Sequence, residues 1–178
     1  MLQGQPTVSV LSISDAIYDA HGSYLLSLCA DTIKAKMSIV YTTREISRFC
    51  DVNSPLHYLL ADAALAYVKK YSITCRYILT TNADNAYSPL FFNLTTYNTD
   101  VILTNMIHKG KAFLTKPAVT HVDLGAYLAS VNFLRRTGVS FLSSVPPRPS
   151  AKDGHFISSM ISKGAKVIKV DDYLFIHN

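Results

Sequence analysis

Apolar and polar positions along this chain follow two rhythms, one of strand type and one of helix type. Val8 to Ile13 is a short apolar run, Tyr24 to Lys36 has helical spacing, and Met37 to Tyr41 is a second short run. The pattern predicts a β-α-β opening with parallel strands. From Ser54 the helical rhythm sharpens: Leu56, Leu59, Leu60, Ala63, Ala64, Tyr67, Val68 and Tyr71 form one apolar stripe, with Ser54 as cap and Pro55 in the first turn.

A strand follows from Cys75 to Thr80. Thr99 to Ile107 and Ala112 to Leu114 also have strand character, and Thr120 to Leu128 carries His121, Asp123 and Gly125. A short helix from about Ser130 to Arg136 stops at Gly138, after two cations in its last turn. Ser143 to Lys152, with Pro146, Pro147 and Pro149, reads as a loop. A final helix begins near Asp153 and ends at Gly164, before a strand from Lys166 to Ile176. Alternating strands and helices predict an α/β fold with a mainly parallel central sheet and helices on both faces, more irregular in its second half. At 178 residues and 49% hydrophobic content, a single domain spanning 1–178 with one core is expected.

Composition narrows the function classes. Only 16% of residues are charged, and Glu45 is the sole glutamate beside eleven aspartates. Aspartate suits caps, turns and metal sites better than helix interiors, which places the acids at element ends. The net charge of +5 is dispersed, with Lys and Arg single or paired, as in Lys69-Lys70 and Arg135-Arg136. That spread fits a small phosphate ligand or plain solubility, and no nucleic-acid partner is expected. Cys29, Cys50 and Cys75 have no CxxC spacing and read as reduced thiols of a cytoplasmic protein. No apolar run reaches membrane-spanning length, and Met1 to Pro6 lacks the pattern of a signal peptide. Glycine-rich GxGxxG and GxxxxGK[ST] loops are missing, which argues against a dehydrogenase or a P-loop NTPase.

The strand from Cys75 runs straight into Asn82-Ala83-Asp84-Asn85. A buried strand ending in acidic and amide oxygens can hold a hard divalent cation at the mouth of an α/β sheet, where phosphates complete the shell. Asp84 is placed for that role; an ordinary Asx turn is the other reading. For a nucleotide, the first strand delivers Ser12, Ser14 and Asp15 to its carboxyl end, and the second delivers Thr42, Thr43 and Arg44. Asp62, between alanines on the long helix, needs a partner if it faces the core, either a ribose or a buried arginine such as Arg76; a solvated helix position also accounts for it. Tyr87 and the aromatic stretch after it read as core.

At this point the chain resembles the glycosyltransferases of the GT-A fold, the nucleotide-diphospho-sugar transferase superfamily. The family's Asp-x-Asp motif looks like Asn82-Ala83-Asp84, with Asn in place of the first aspartate. Its glycine-containing acceptor-side strand resembles Val122-Asp123-Leu124-Gly125-Ala126, its acidic position at the start of a later helix matches Asp153, and its C-terminal metal-binding histidine looks like His177. The resemblance covers about Val8 to His177. It implies a metal-dependent glycosyltransferase, inverting through Asp153 as base, that moves a sugar from a nucleoside-diphosphate sugar, a UDP-sugar foremost, to a carbohydrate hydroxyl. Asp84, His177 and Asn82 would belong to the metal site, with Mn2+ favoured slightly over Mg2+. Asp123, Gly125 and His155 would lie on the acceptor side. Taken without the resemblance, Asp153 is equally a helix cap, His177 a surface histidine and His155 a helix-surface residue. Two other functions are consistent with a related fold. A nucleotidyltransferase would carry a glycine-rich basic loop that Ser12 to Gly22 lacks, and a non-catalytic sugar-nucleotide module is hinted at by Asn82.

Overall fold

The computed structural model describes the backbone of residues 9–14 and 37–42, and residues 56–71, 75–81, 85–144 and 152–177. The chain divides into two compact units, Met1–Cys75 and Arg76–Asn178.

In the first unit, β1 (Ser9–Ser14) and β2 (Met37–Thr42) pair in parallel, in register from Ser9 with Met37 to Ser14 with Thr42. Helix α1 (Leu56–Tyr71) packs along both. Its most buried line is Tyr58, Ala61, Leu65 and Val68, whereas Tyr71 is largely exposed. The helix is therefore rotated from the expected stripe. It is apolar around most of its circumference, so spacing alone does not fix which line points inward. The proposed cap, Ser54, and the expected helix from Tyr24 to Lys36 lie outside the described residues.

The second unit is built on a mixed sheet of six strands: β3 (Tyr77–Ile78), β4 (Ala86–Tyr87), β5 (Val101–His108), β6 (Lys111–Phe113), β7 (Tyr127–Ser130) and β8 (Val167–His177). Its spatial order is β3-β7-β5-β8-β4, with β6 folded back on the end of β5. Here the expectation of a mainly parallel sheet is corrected. Parallel pairing among the described strands is confined to β1 with β2 and β5 with β8, and every other pair is antiparallel. Parallel neighbours need long crossovers, and this half of the chain also uses short reversals. Lys109-Gly110, both with positive φ, turns β5 directly into β6.

The sheet has two covered faces. On one, a 3-10 helix, η1 (Pro89–Thr96), packs Phe91 and Leu94 against Ile102, Leu128 and Leu174. Ser88 caps it, accepting the Leu90 N–H. On the other face, α3 (Lys152–Ser162) places Phe156 beside Tyr127 and stacks it on Phe141 at 4.3 Å between ring centres. Helix α2 (Val131–Thr137) runs as expected, capped by Ser130 and stopped by Gly138 at φ 69°. β5 is buried from Val101 to Asn105 because both faces are covered.

One irregularity shapes the pairing of β5 with β8. The register of β5 on β8 shifts on both sides of Asn105, which pairs with Tyr173 where regular pairing would reach Asp171. Fully buried Asn105 fills the gap, donating from Nδ2 to Asp171 O at 2.7 Å and accepting the Thr115 N–H on Oδ1 at 3.1 Å. A single amide thus holds both the bulge and the start of the segment 114–126.

Candidate active site

The carboxyl ends of the two parallel central strands bring His108 and His177 into register. Their rings lie 4.5 Å apart. This is where ligands collect in sheets containing parallel strands. Both histidines are only partly exposed.

Asp123 joins them from the segment 114–126. One carboxylate oxygen, Oδ1, accepts the Gly125 N–H at 3.2 Å, closing an Asx turn that the Ala126 N–H reinforces by donating to Asp123 O. The other, Oδ2, lies 2.9 Å from His177 Nδ1. An N–H on Nδ1 leaves the Nε2 lone pair of His177 available, the usual way a carboxylate sets a metal-binding imidazole.

Gly125 allows this approach. A Cβ there would fall 2.5 Å from both Phe175 Cζ and Tyr87 Oη. Those rings stack at 5.2 Å between centres, with Tyr87 paired to Phe175 across β4 and β8. The Tyr87 hydroxyl donates to Thr81 Oγ1 at 2.6 Å, and Asn85 Nδ2 donates to the same oxygen at 3.0 Å. Burial pushes the Tyr87 phenol up to about 12, the Asp123 carboxylate adds to the rise, and the contacts with Thr81 and Asn85 oppose it. Tyr87 is thus a neutral donor at physiological pH.

Thr81 and Asn85 flank positions 82–84 and are tied to each other by that hydrogen bond. Asn85 also precedes Ala86, whose β8 partner is Ile176, the residue before His177. Two buried atoms here have no hydrogen-bond partner among the described residues, Asn85 Oδ1 and His108 Nδ1. An amide oxygen and imidazole nitrogens are donor types that suit a divalent cation. No three His, Cys, Asp or Glu side chains converge on a metal position among the described residues. A cation here would therefore draw the rest of its shell from elsewhere, such as phosphate and water.

The remaining candidates are placed as follows. Asn82, Asp84, Asp15, Thr43 and Arg44 lie outside the described residues. Ser12 and Ser14 lie on β1, and Thr42 is the register partner of Ser14 at the carboxyl ends of the first unit's strands. Asp62 is half-buried on α1, while Arg76 is exposed, its guanidinium bonded to Asn98 and reaching Thr95 O. Arg76 is thus not the buried arginine expected. Asp153 and His155 are half-buried at the start of α3. Between them, Gly154 lies so close to the backbone of Val119 that a Cβ would collide with it. The first turn of α3 is thereby seated on the segment that carries Asp123. Asn85 belongs to the turn singled out by sequence, whereas His108 and Thr81 carry no role in that reading, although a histidine closing a strand before Lys109-Gly110 marks a position at a sheet end.

No family model matches this chain, and none of the curated proteins matches it. Among solved structures, residues 1–349 of S. aureus TarS, a glycosyltransferase, superpose on 96% of the chain with a TM-score of 0.57 and 13% identity. The chain spans about half the length of that structure, 50%. None of the described helices is long and apolar enough to cross a membrane. The likeness to TarS shows a glycosyltransferase-like fold of mixed α/β type.

Proposed function

We propose that this chain transfers a sugar from a nucleoside-diphosphate sugar to a carbohydrate hydroxyl, with inversion at the anomeric carbon. The observation that carries the reading is the Asp123–His177 pair at the carboxyl end of β5 and β8, beside the braced flanks of positions 82–84. His177 Nε2 and Asp84, with Asn82 or Asn85 contributing an amide oxygen, would hold Mn2+ or Mg2+. Such an ion offsets the negative charge that develops on a departing diphosphate.

The protein's own groups divide the remaining work. Asp123 fixes the tautomer and orientation of His177. Tyr87, neutral and hydrogen-bonded to Thr81, keeps that corner of the sheet packed without adding a second negative charge beside Asp123. Gly125 leaves space where a side chain would displace Phe175 and Tyr87. Asp153, in the first turn of α3, takes the proton of the attacking acceptor hydroxyl, and His155 on the same turn contacts the acceptor. Ser12, Ser14, Asp15, Thr42, Thr43, Arg44 and Asp62 bind the base and ribose, with a UDP-sugar as the first donor to try.

Donor hydrolysis tests this reading. UDP-sugars incubated with the chain should be hydrolysed to UDP and free sugar only when Mn2+ or Mg2+ is present, and His177→Ala should abolish the metal response. Donor binding that raises the melting temperature with no turnover for any UDP-, GDP-, CDP- or dTDP-sugar would instead identify a non-catalytic binding domain.

A further inference from the structure

At the opposite end of β5, about 25 Å from His108 at the rise of a strand, the second unit has a polar pocket of about 380 Å³. Arg76, Arg136 and Lys166 line it against a single carboxylate, Asp100. That carboxylate is partly engaged, since its Oδ2 accepts the Lys166 backbone N–H at 3.0 Å. None of the three cations forms an ion pair among the described residues. The lining therefore holds two net positive charges.

Both arginines are held in place, and the neutral groups around the cations are poor in acceptors. The Arg76 guanidinium lies 5.4 Å from the centre of the Tyr77 ring and donates to Asn98 Oδ1 at 2.8 Å. Arg136 lies over Phe133 at 5.3 Å. Stacked guanidinium groups lose little freedom on binding an oxyanion. Asn98 spends its acceptor oxygen on Arg76, and Asn132 spends its own on Arg135 at 3.4 Å, so each keeps its amide N–H donors. Ser130 Oγ accepts the Phe133 N–H, which leaves its hydroxyl proton to donate. Thr99 Oγ1 is already committed to Lys166 O at 2.7 Å.

We infer that this pocket binds a phosphorylated small molecule through its phosphate group. Arg76 and Arg136 supply forked donors, Lys166 supplies a point charge, Ser130 donates from the end of β7 and Asn132 from the first turn of α2. A doubly charged tetrahedral oxyanion uses these donors more fully than a carboxylate does. The volume lies in the range of small-molecule sites, larger than a free phosphate needs. The inference is independent of the sugar-transfer reading, because none of these residues belongs to the His108–His177 cluster.

The test is a heteronuclear NMR titration of the intact chain with inorganic phosphate, at ionic strength held constant with potassium chloride. Saturable shifts of the Thr99, Ser130 and Asn132 amides, with those around His177 unmoved, are expected. The double variant Arg76→Gln/Arg136→Gln should weaken binding roughly a hundredfold, since it removes two charge-assisted hydrogen-bonding groups. Should that variant fail to fold by circular dichroism, Lys166→Gln carries the comparison, with a loss of roughly tenfold expected. Shifts that stay linear in phosphate, that centre on other residues, or that persist at unchanged affinity in a folded variant overturn the proposal.

Discussion

Asp123 Oδ2 meets His177 Nδ1 at 2.9 Å, so an Asx turn from mid-chain sets the imidazole at the end of the C-terminal strand. A carboxylate in this position typically alters metal affinity about 10- to 100-fold through the histidine it orients. Asp123→Asn keeps an oxygen for the Gly125 N–H but removes the charge. Mn2+ affinity measured calorimetrically should fall by about that factor, with a change in folding stability under about 1 kcal/mol. Unchanged affinity in a folded variant would separate His177 from any metal.

Gly125 gives a packing test of the same corner. An added methyl would fall 2.5 Å from Phe175 Cζ and Tyr87 Oη, inside a stacked pair with no slack. Gly125→Ala should destabilise the protein by about 1–3 kcal/mol, the usual cost of overpacking, seen as a lower urea midpoint at unchanged slope. A variant as stable as the parent would mean the rings move aside freely.

Much of this arrangement is legible in the residues, and the illegible parts have physical causes. β1, β2, β5, β8 and α2 fall where apolar runs and caps place them, because each is long or clearly punctuated. The strand read from Cys75 to Thr80 contracts to Tyr77–Ile78, since a strand is only as long as its partner allows and β7 has four residues. Ser88-Pro89 caps and opens η1, but the aromatic run behind it has the composition of core, which hides the helix; Phe91 is fully buried while Leu90 and Phe92 are exposed. The resemblance located Asp123 and His177 separately, on different sides of the site. Their pairing depends on the bulge at Asn105 and the turn at Gly125, both products of tertiary contacts that spacing does not encode.

Tyr87 predicts an alkaline signature. Burial raises its phenol from 10.0 to about 12, so the unfolded chain loses this proton at lower pH than the native one. The native advantage is complete below about pH 10 and is lost as pH rises toward 12. Tyr87→Phe should be less stable than the parent near neutrality, having lost the bond to Thr81, and should lose less stability between about pH 10 and 12. Urea midpoints for both chains across that window check it. Parallel decline in the two would show that Tyr87 titrates like an exposed phenol.

Asp153 decides whether α3 contributes chemistry or only a helix start. Its turn is seated on Val119 through Gly154, a few residues before the Asp123 that holds His177, so base and metal ligand would be mounted on one segment. Asparagine is nearly isosteric with aspartate, and in the first turn of α3 it gives up only the interaction of a carboxylate with the helix dipole, so Asp153→Asn should cost no more than about 1 kcal/mol of stability. It cannot accept the proton of an acceptor hydroxyl, and transfer to acceptor should fall by roughly 10²–10⁴. Metal-dependent hydrolysis of the donor without acceptor should fall less than transfer does, because the diphosphate still departs against the same groups. Equal losses in the two reactions would place Asp153 in donor binding, and no loss in either would leave it a first-turn acid that serves only the helix.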